Sequence, residues 1–525
     1  MKKGHNKVTF KPYTMDQPAL LPANLEEMIP EDHLVRVVNR VMDKLDLEPI
    51  LNEYKGGGTS SYHPRMMLKV LVYAYTQKVN SSRQIAKGLR ENVNFMWISG
   101  NNRPDFRTIN RFRSSVMKEG IEVVFSEVLR YLIEEGYVTL EHYFLDGTKI
   151  EANANKYKWV WAKSTKRYKE RLQEKIEELL RNIEAENEAE QAAYGDKDLE
   201  EMGGDNKPGG GGVDSEELQK RIERLNERLA ETMKNKKDAK TKALRTLQEE
   251  YLPRQKKYEE QEQILAGRNS YAKTDHDATF MRMKEDAMRN GQLKPGYNVQ
   301  IGSENQFVVG FSIHQRANDI NCLIPHLKDV QRRLGRLPKR VISDAGYGNE
   351  ENYAYLEQNG TEAYVKYALF HKQQKRNWCK QRFRPENWQY IAEQDEYICP
   401  AQQRLLFQRI RHRKTENGYR ISIREYECAA CVDCPFKPEC VRSKGNRRIW
   451  INPALNYYQY QARTRLLSEQ GRKLRRQRAV EVETIFGRIK QNWGFRRFTL
   501  KGMEKVKTEW GLLCVAHNIA KLAVQ

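Results

Sequence analysis

Two acids mark the chemistry this chain could do. Asp146 follows Tyr143-Phe144-Leu145 and precedes Gly147; Asp344 follows Val341-Ile342-Ser343 and precedes Ala345-Gly346. In both places apolar residues run into a carboxylate with glycine close behind, the pattern of a buried strand that ends on an acid. Two carboxylates side by side repel unless a cation bridges them. Their hard oxygens suit Mg2+ or Mn2+. Two such ions about 4 Å apart can activate a water and stabilise the 3′ oxygen that leaves a phosphodiester. A third acid must complete the ligand set. Glu483, on a late helix, is the leading candidate. Lys490 lies seven residues on, hence on the same helical face, where it can hold a phosphate by charge. Gly487 between them leaves room for a DNA backbone. Glu481 is the rival, two residues from Glu483 and roughly opposite it. Asp275 and Asp277 either cap a helix or substitute as ligands. Taken singly, a strand-end Asp is more often a turn or cap residue, and Glu483 with Lys490 more often a solvated face. The order of the three acids along one chain is what lifts the reading.

The elements that would position these acids follow from periodicity. Residues 1–30 read as an irregular arm broken by Pro12, Pro18, Pro22 and Pro30. Residues 1–135 form a helical amino-terminal domain, with stripes at Leu34, Val37, Val38, Val41, Met42 and at Met66, Met67, Val70, Leu71. Short helices over Ser82–Glu91 and Thr108–Met117, with a turn between, suit a helix-turn-helix reader of DNA, and Arg107, Arg111 and Arg113 would face the duplex. Residues 136–161 supply the first strands, Val138–Leu140 among them. Residues 162–265 are rich in charge and interrupted by glycines from Gly203 to Gly212, which suggests two helices folded back as a hairpin. The core resumes over 266–366. It has strands at Tyr297–Ile301 and Phe307–Ile313 joined through Gly302–Asn305, a helix from Cys322 to Leu334, the strand Arg340–Asp344, the helix Glu350–Asn359 and the strand Glu362–Lys366. A second insertion fills 367–470, with short strands at Gln389–Ile391, Leu405–Ile410 and Tyr419–Glu427. Helices over 471–525 complete the core. This order predicts an α/β fold with a mixed sheet of the ribonuclease H type, in which the first and fourth strands are adjacent and parallel and Asp146 and Asp344 face each other.

Composition sets the setting. The net charge is +22, and the segment from His371 to Gln525 holds 33 Lys and Arg against 14 Asp and Glu, a net +19. Such a basic third is matched to a phosphate backbone. No stretch reaches the roughly 18 apolar residues of a membrane span, and the amino terminus lacks a signal-peptide core. A cytoplasmic, nucleoid-associated protein is expected. In a reducing compartment the group Cys428-x2-Cys431-x2-Cys434-x5-Cys440 suits a structural Zn2+, with Cys399 able to replace one of the four.

Several segments together resemble the DDE transposases of bacterial insertion sequences. They are Phe144–Ala152, Pro295–Gln300, Ser343–Tyr347, Val482–Lys490, Gly494–Phe498 and Leu512–Asn518, with Pro104–Arg113 similar to the family's amino-terminal DNA-binding region. The resemblance implies a ribonuclease H-like core, Mg2+ dependence and a catalytic triad of Asp146, Asp344 and Glu483. It also implies double-stranded DNA partners, namely the element's terminal inverted repeats and a target, and a homodimer that pairs two ends. Arg488, Arg496 and Arg497 join Lys490 as expected DNA contacts. A related branch of the family carries Tyr-x2-Arg-x3-Glu-x6-Lys on its last helix. Here the Tyr and Arg places hold Arg476 and Ala479, and Arg478 is the nearest substitute. A hairpin route would need an aromatic for a flipped base, a place open to Trp159, Trp161, Trp378 and Trp388, each of which is more often a packing residue. The alternatives are an inactive or domesticated DNA-binding relative, or a nuclease that cuts without joining.

Overall fold

A computed structural model describes residues 24–52, 54, 61–194, 214–232, 239–283 and 291–524. Most of the expected arm and the whole glycine-rich tip at 203–212 lie outside the described residues. The chain divides into two units, Val138–Glu509 and a smaller one that joins Met1–Tyr137 to Trp510–Gln525. The second grouping differs from expectation, which assigned all of 471–525 to the core. From Trp510 to Ile519 the closing helix Met503–Leu522 is buried almost all round, and it clusters with the amino-terminal helices.

In the smaller unit, the helix Pro64–Thr76 is central, with ten of its thirteen residues buried. Leu34–Lys44 buries the stripe Val35, Val38, Val41 and Met42. The helix expected at Thr108 begins at Phe106, because Asp105 caps it by accepting the Thr108 N–H at 2.7 Å. It loosens into a π turn over Phe112–Val116 and continues as Met117–Glu134. A further short helix, Val93–Ile98, lies between the two expected helix-turn-helix partners, so no simple turn joins them.

The larger unit holds the sheet. Its strands are β1 (His142–Glu151), β2 (Trp159–Trp161), β3 (Ser270–Ala272), β4 (Thr279–Arg282), β5 (Leu293–Glu304), β6 (Phe307–His314), β7 (Arg340–Ser343) and β8 (Glu362–Val365). The main sheet runs β4-β5-β1-β7-β8, and β6 also pairs with β5. β1 is antiparallel to β5 and parallel to β7, and β7 is parallel to β8. The helices Leu323–Leu334 and Glu350–Gln358 connect these strands close to the expected boundaries.

Two local expectations needed revision. Val138–Leu140 is not strand: the Glu304 carboxylate accepts the N–H groups of Thr139, Leu140, Glu141 and His142 at 2.6–3.1 Å, which ties this segment to a side chain instead of a ladder. The β5–β6 turn falls at Asn305-Gln306, both with positive φ as a two-residue hairpin turn requires. Gly302 therefore lies inside β5. Its lack of a side chain admits the Tyr143 ring, whose Cζ would sit 1.7 Å from an added Cβ.

The first insertion is larger than a hairpin. Its described residues form helices Ala162–Tyr194, Ser215–Thr232, Ala239–Thr246 and Leu252–Leu265. Leu172, Ile176, Leu180, Leu218, Ile222, Leu244 and Leu247 make a buried core of their own. The sparse stripes after Ala239 hid this third contributor, because few apolar residues there mark the inward face. β2 and β3 clip the insertion's base in antiparallel register, Trp161 opposite Ser270. The second insertion is a five-stranded antiparallel sheet, β9 (Gln389–Ile391), β10 (Glu396–Ile398), β11 (Arg404–Lys414), β12 (Arg420–Cys428) and β13 (Arg448–Ile451), in the order β13-β12-β11-β10-β9. Helix resumes at Pro453, earlier than expected, where Asn452 caps Pro453–Leu467. No described helix is long and apolar enough to cross a membrane.

Candidate active site

Register brings the two aspartates together. The parallel ladder of β1 and β7 ends at the pair Leu145 and Ser343. Asp146 and Asp344 are the next residue on each strand. Their settings differ, however. Asp146 does not end its strand: β1 continues to Glu151 because β5 still pairs with it, through Glu151 opposite Gly296. Asp344 leaves the sheet and caps the short turn Ala345–Tyr347, its Oδ1 accepting the Gly346 N–H at 2.8 Å. Asp146 Oδ1 likewise accepts the Gly147 N–H at 2.8 Å.

The remaining oxygens turn toward one cation. Arg478 Nη2 lies 3.0 Å from Asp146 Oδ2 and 3.8 Å from Asp344 Oδ2. Arg478 closes the helix Glu469–Arg478, just before a π turn over Ala479–Glu483. Burial pushes the Asp146 carboxyl up to about 6. Arg478 opposes this shift, while Asp344 and then Asp319 add to it. Burial, reinforced by Arg478 and Arg475, holds the Lys366 ammonium below its usual range. The centre therefore gathers acids and bases at short range.

Asp319 is a residue that the pattern reading missed. It opens the turn Asp319–Asn321 after β6, and its Oδ1 accepts amide N–H groups from Asn298 at 2.8 Å and Gln300 at 2.9 Å. Gln300 also accepts from the buried Tyr347 hydroxyl. Gly147 faces this network, since an added Cβ would sit 2.2 Å from Gln300 Nε2 and 2.7 Å from Asp319 Oδ1. The signal at Asp344, an apolar run into an acid with glycine behind it, is absent at Asp319, which follows Arg316-Ala317-Asn318.

The late helix does not keep the phase assumed for it. π turns over Ala479–Glu483 and Arg488–Asn492 each add a residue to a turn. Seven residues then no longer return to one face: Glu483 is exposed, whereas Lys490 is buried. Lys490 is thus not presented to solvent as a phosphate contact. Glu481 is buried, and its carboxylate accepts the backbone N–H of Gln306 at 2.6 Å and the side-chain amide of Gln477 at 3.1 Å, which fixes the β5–β6 turn. Among the described residues no group of three or more His, Cys, Asp or Glu side chains is already set to hold a metal ion. Asp275 and Asp277 act as caps, accepting from Gly502 and Met503 at the start of the closing helix.

The expected DNA contacts divide in the same way. Arg496 and Arg497 are exposed beside the end of β1, where Arg497 Nη2 donates to the Ala154 carbonyl. Arg488 is half-buried, and its Nη1 has no hydrogen-bond partner. In the smaller unit, Arg107 and Arg111 are exposed. Arg113 is buried and donates to the Asn80 carbonyl, Tyr75 and Asn110, so it braces the helices instead of facing outward. Trp378 and Trp388 are buried, and Trp388 Nε1 donates to the Arg382 carbonyl, so neither offers a free face to a flipped base. Trp159 is 40% exposed.

Residues 398–523 match the family model described as Transposase DDE domain, and residues 23–115 match Transposase domain (DUF772). Both matches support a DDE transposase of an insertion sequence. No curated protein and no solved structure matches it. The transposase matches cover Arg478 and Glu483 at one end and Arg107 and Arg111 at the other. Asp146 and Asp344 lie between them, where the sheet register alone brings them together.

Proposed function

We propose that this transposase binds the terminal inverted repeats of an insertion sequence, cuts at their ends and joins the exposed 3′-OH groups to target DNA. The observation that carries the reading is the placement of Asp146 and Asp344 one step past a shared parallel register, with a single guanidinium between their outer oxygens. The strand order β6-β5-β1-β7-β8, with β5 antiparallel to β1 and the last two parallel, supports the ribonuclease H-like reading of the core.

The residues present fit a divalent ion. Asp146 is buried and holds its proton more tightly than a free carboxyl does, with the carboxylate of Asp344 beside it, and Arg478 supplies only part of the charge compensation. Asp146 and Asp344 would hold Mg2+ or Mn2+, with Glu483 as third ligand by the family's pattern. Bound there, such ions supply Lewis acidity at the attacking and leaving oxygens of the phosphodiester. Asp344 can adjust, because it stands on a turn; Asp146 is fixed by two neighbouring strands. Arg496 and Arg497 stand at the rim of β1 to meet a phosphate backbone. β11 is a second basic element: ten of its eleven residues are exposed, including Arg409, Arg411 and Arg413. Its far end is tied to the core near Asp319, through Glu416 with Arg316 and Asn321. Two element ends must be held at once, so the working unit is a homodimer or larger, acting on DNA in the bacterial cytoplasm.

Incubation of the purified protein with end DNA, a target plasmid and Mg2+ tests this. Joined products are expected, and none without the ion. Cleavage without joining would favour a nuclease, and binding without either an inactive relative.

Arg478 occupies the space between the ligands as a cation in its own right. Relief of one unit charge at about 4 Å is worth on the order of 1–4 kcal/mol between water-like and surface-like surroundings. Arg478→Gln is therefore expected to tighten Mn2+ binding by roughly tenfold, read by calorimetry. Unchanged or weaker binding would show that Arg478 does not compete with the ion.

A further inference from the structure

The second insertion brings five thiols to one small cavity. Cys399 lies at the β10–β11 turn, Cys428 ends β12, Cys431 and Cys434 follow in the loop before β13, and Cys440 closes the short helix Lys437–Cys440. All five line a cavity of about 20 Å³, together with Arg447. That space is of the order of a single water or ion. Cys399, Cys428 and Cys431 are buried, in a cluster with Trp388, Leu405, Tyr426 and Ile449. None of the five is in a disulfide.

Arg447 links the parts. Its backbone N–H points at Cys431 Sγ at 3.4 Å, and its Nη1 donates to the Cys440 carbonyl at 3.0 Å. Its Nε is buried with no hydrogen-bond partner. An unsatisfied buried guanidinium nitrogen calls for an anionic neighbour. A tetrahedral Zn2+ with four thiolates carries a net charge of −2, and would provide one. The fold gives this insertion few other means of holding together. Its apolar cluster is small, and ten of the eleven residues of its longest strand are exposed.

We propose that this cavity binds one Zn2+ through Cys399, Cys431 and Cys440, with the fourth position closed by Cys428 or Cys434. Spacing alone favours the four downstream thiols, Cys428 to Cys440. Cys399, already a possible replacement by sequence, is 29 residues upstream of Cys428 and is brought close by the β10–β11–β12 meander, in which Leu405 pairs with Cys428. Four thiols lose their protons as the ion binds, so uptake releases acid. The ion would pin the β10–β11 turn to the loop after β12 and thereby hold the basic β11 ribbon in place. A polynuclear iron–sulfur cluster needs more room than the cavity gives.

The site can be tested apart from transposition. Full-length protein, purified without added metal, is expected to contain about one zinc per chain by elemental analysis, released by a mercurial thiol reagent. Cys399→Ser should lower the content at least fivefold, as should Cys431→Ser. Cys379→Ser, at an exposed cysteine outside the cavity, should leave it unchanged. Misfolding is checked by far-ultraviolet circular dichroism and by refilling the variants with Co2+: thiolate-to-cobalt absorption in wild type, and its loss in a folded Cys399→Ser, supports the assignment. Full zinc in Cys399→Ser would return the site to the four downstream thiols. Absence of zinc from wild type, with five reactive thiols and no cobalt spectrum, would overturn it, as would iron with visible absorption. A zinc-bearing protein that fails to join DNA would leave the site standing and remove the functional reading.

Discussion

Asp344→Asn is expected to abolish end cleavage and strand transfer while DNA binding survives. The change removes a charge and little else. An Asn oxygen can still accept the Gly346 N–H that Asp344 accepts at 2.8 Å, so the turn persists. What is lost is a carboxylate facing Asp146 at the end of a shared register. A drop of at least a thousandfold, about 4 kcal/mol in the barrier, is the expected scale. Gel assays of joined products give the rate, and mobility shift with end DNA gives the binding. A residual rate within tenfold of wild type would sink the two-aspartate site. Glu483→Gln in the same assays reports on the third ligand: Glu483 is exposed, so its loss should cost activity without cost to the fold.

The second large effect is on stability, and it runs the other way. Asp146 titrates at about 6 in the folded chain against 3.8 for the free side chain, chiefly through burial. The folded state holds this proton more tightly than the unfolded state does. The stabilisation this gives is fully present below 3.8 and is lost as pH rises through about 6. At pH 8 the ionised group costs on the order of 3 kcal/mol. Asp146→Asn carries no such cost. The variant should therefore be more stable than wild type by up to that amount at pH 8 without added Mg2+, and equal to it near pH 4. Urea denaturation at the two pH values measures the difference. A gap that ignores pH, or a variant less stable at pH 8, would contradict the assignment. Added Mg2+ should stabilise wild type and leave the variant unmoved.

The acids of the strands were legible because apolar runs into a carboxylate are local, and the segment order then implied which strands meet. Asp319 was not. It gains meaning only from Asn298 and Gln300 across the sheet, and no local pattern announces those contacts. The late helix misled for a different reason. A seven-residue repeat assumes constant pitch, and two π turns alter it, turning Lys490 inward. Arg113 misled because an arginine on a short helix looks solvated until its partners, Asn80 and Tyr75, are known. Gly302–Asn305 reads as the hairpin turn in sequence, but the turn closes at Asn305-Gln306 and Gly302 serves a close ring contact instead.

The clip between β2 and β3 has a consequence for how such proteins change over time. Chain enters the first insertion at Trp161 and returns at Ser270, and the two are directly opposite in a ladder. Neighbouring strands lie about 5 Å apart, so the doorway is narrow and of fixed width. Below it, Val160, Leu265 and Tyr271 form a small plug that does not involve the helices' own core. The sheet therefore senses the doorway and not what hangs from it. Closing a longer loop through the same opening costs only a logarithm of its length. The helical bundle is in this sense a replaceable cassette, free to shrink, grow or be exchanged while the register that aligns Asp146 with Asp344 stays as it is.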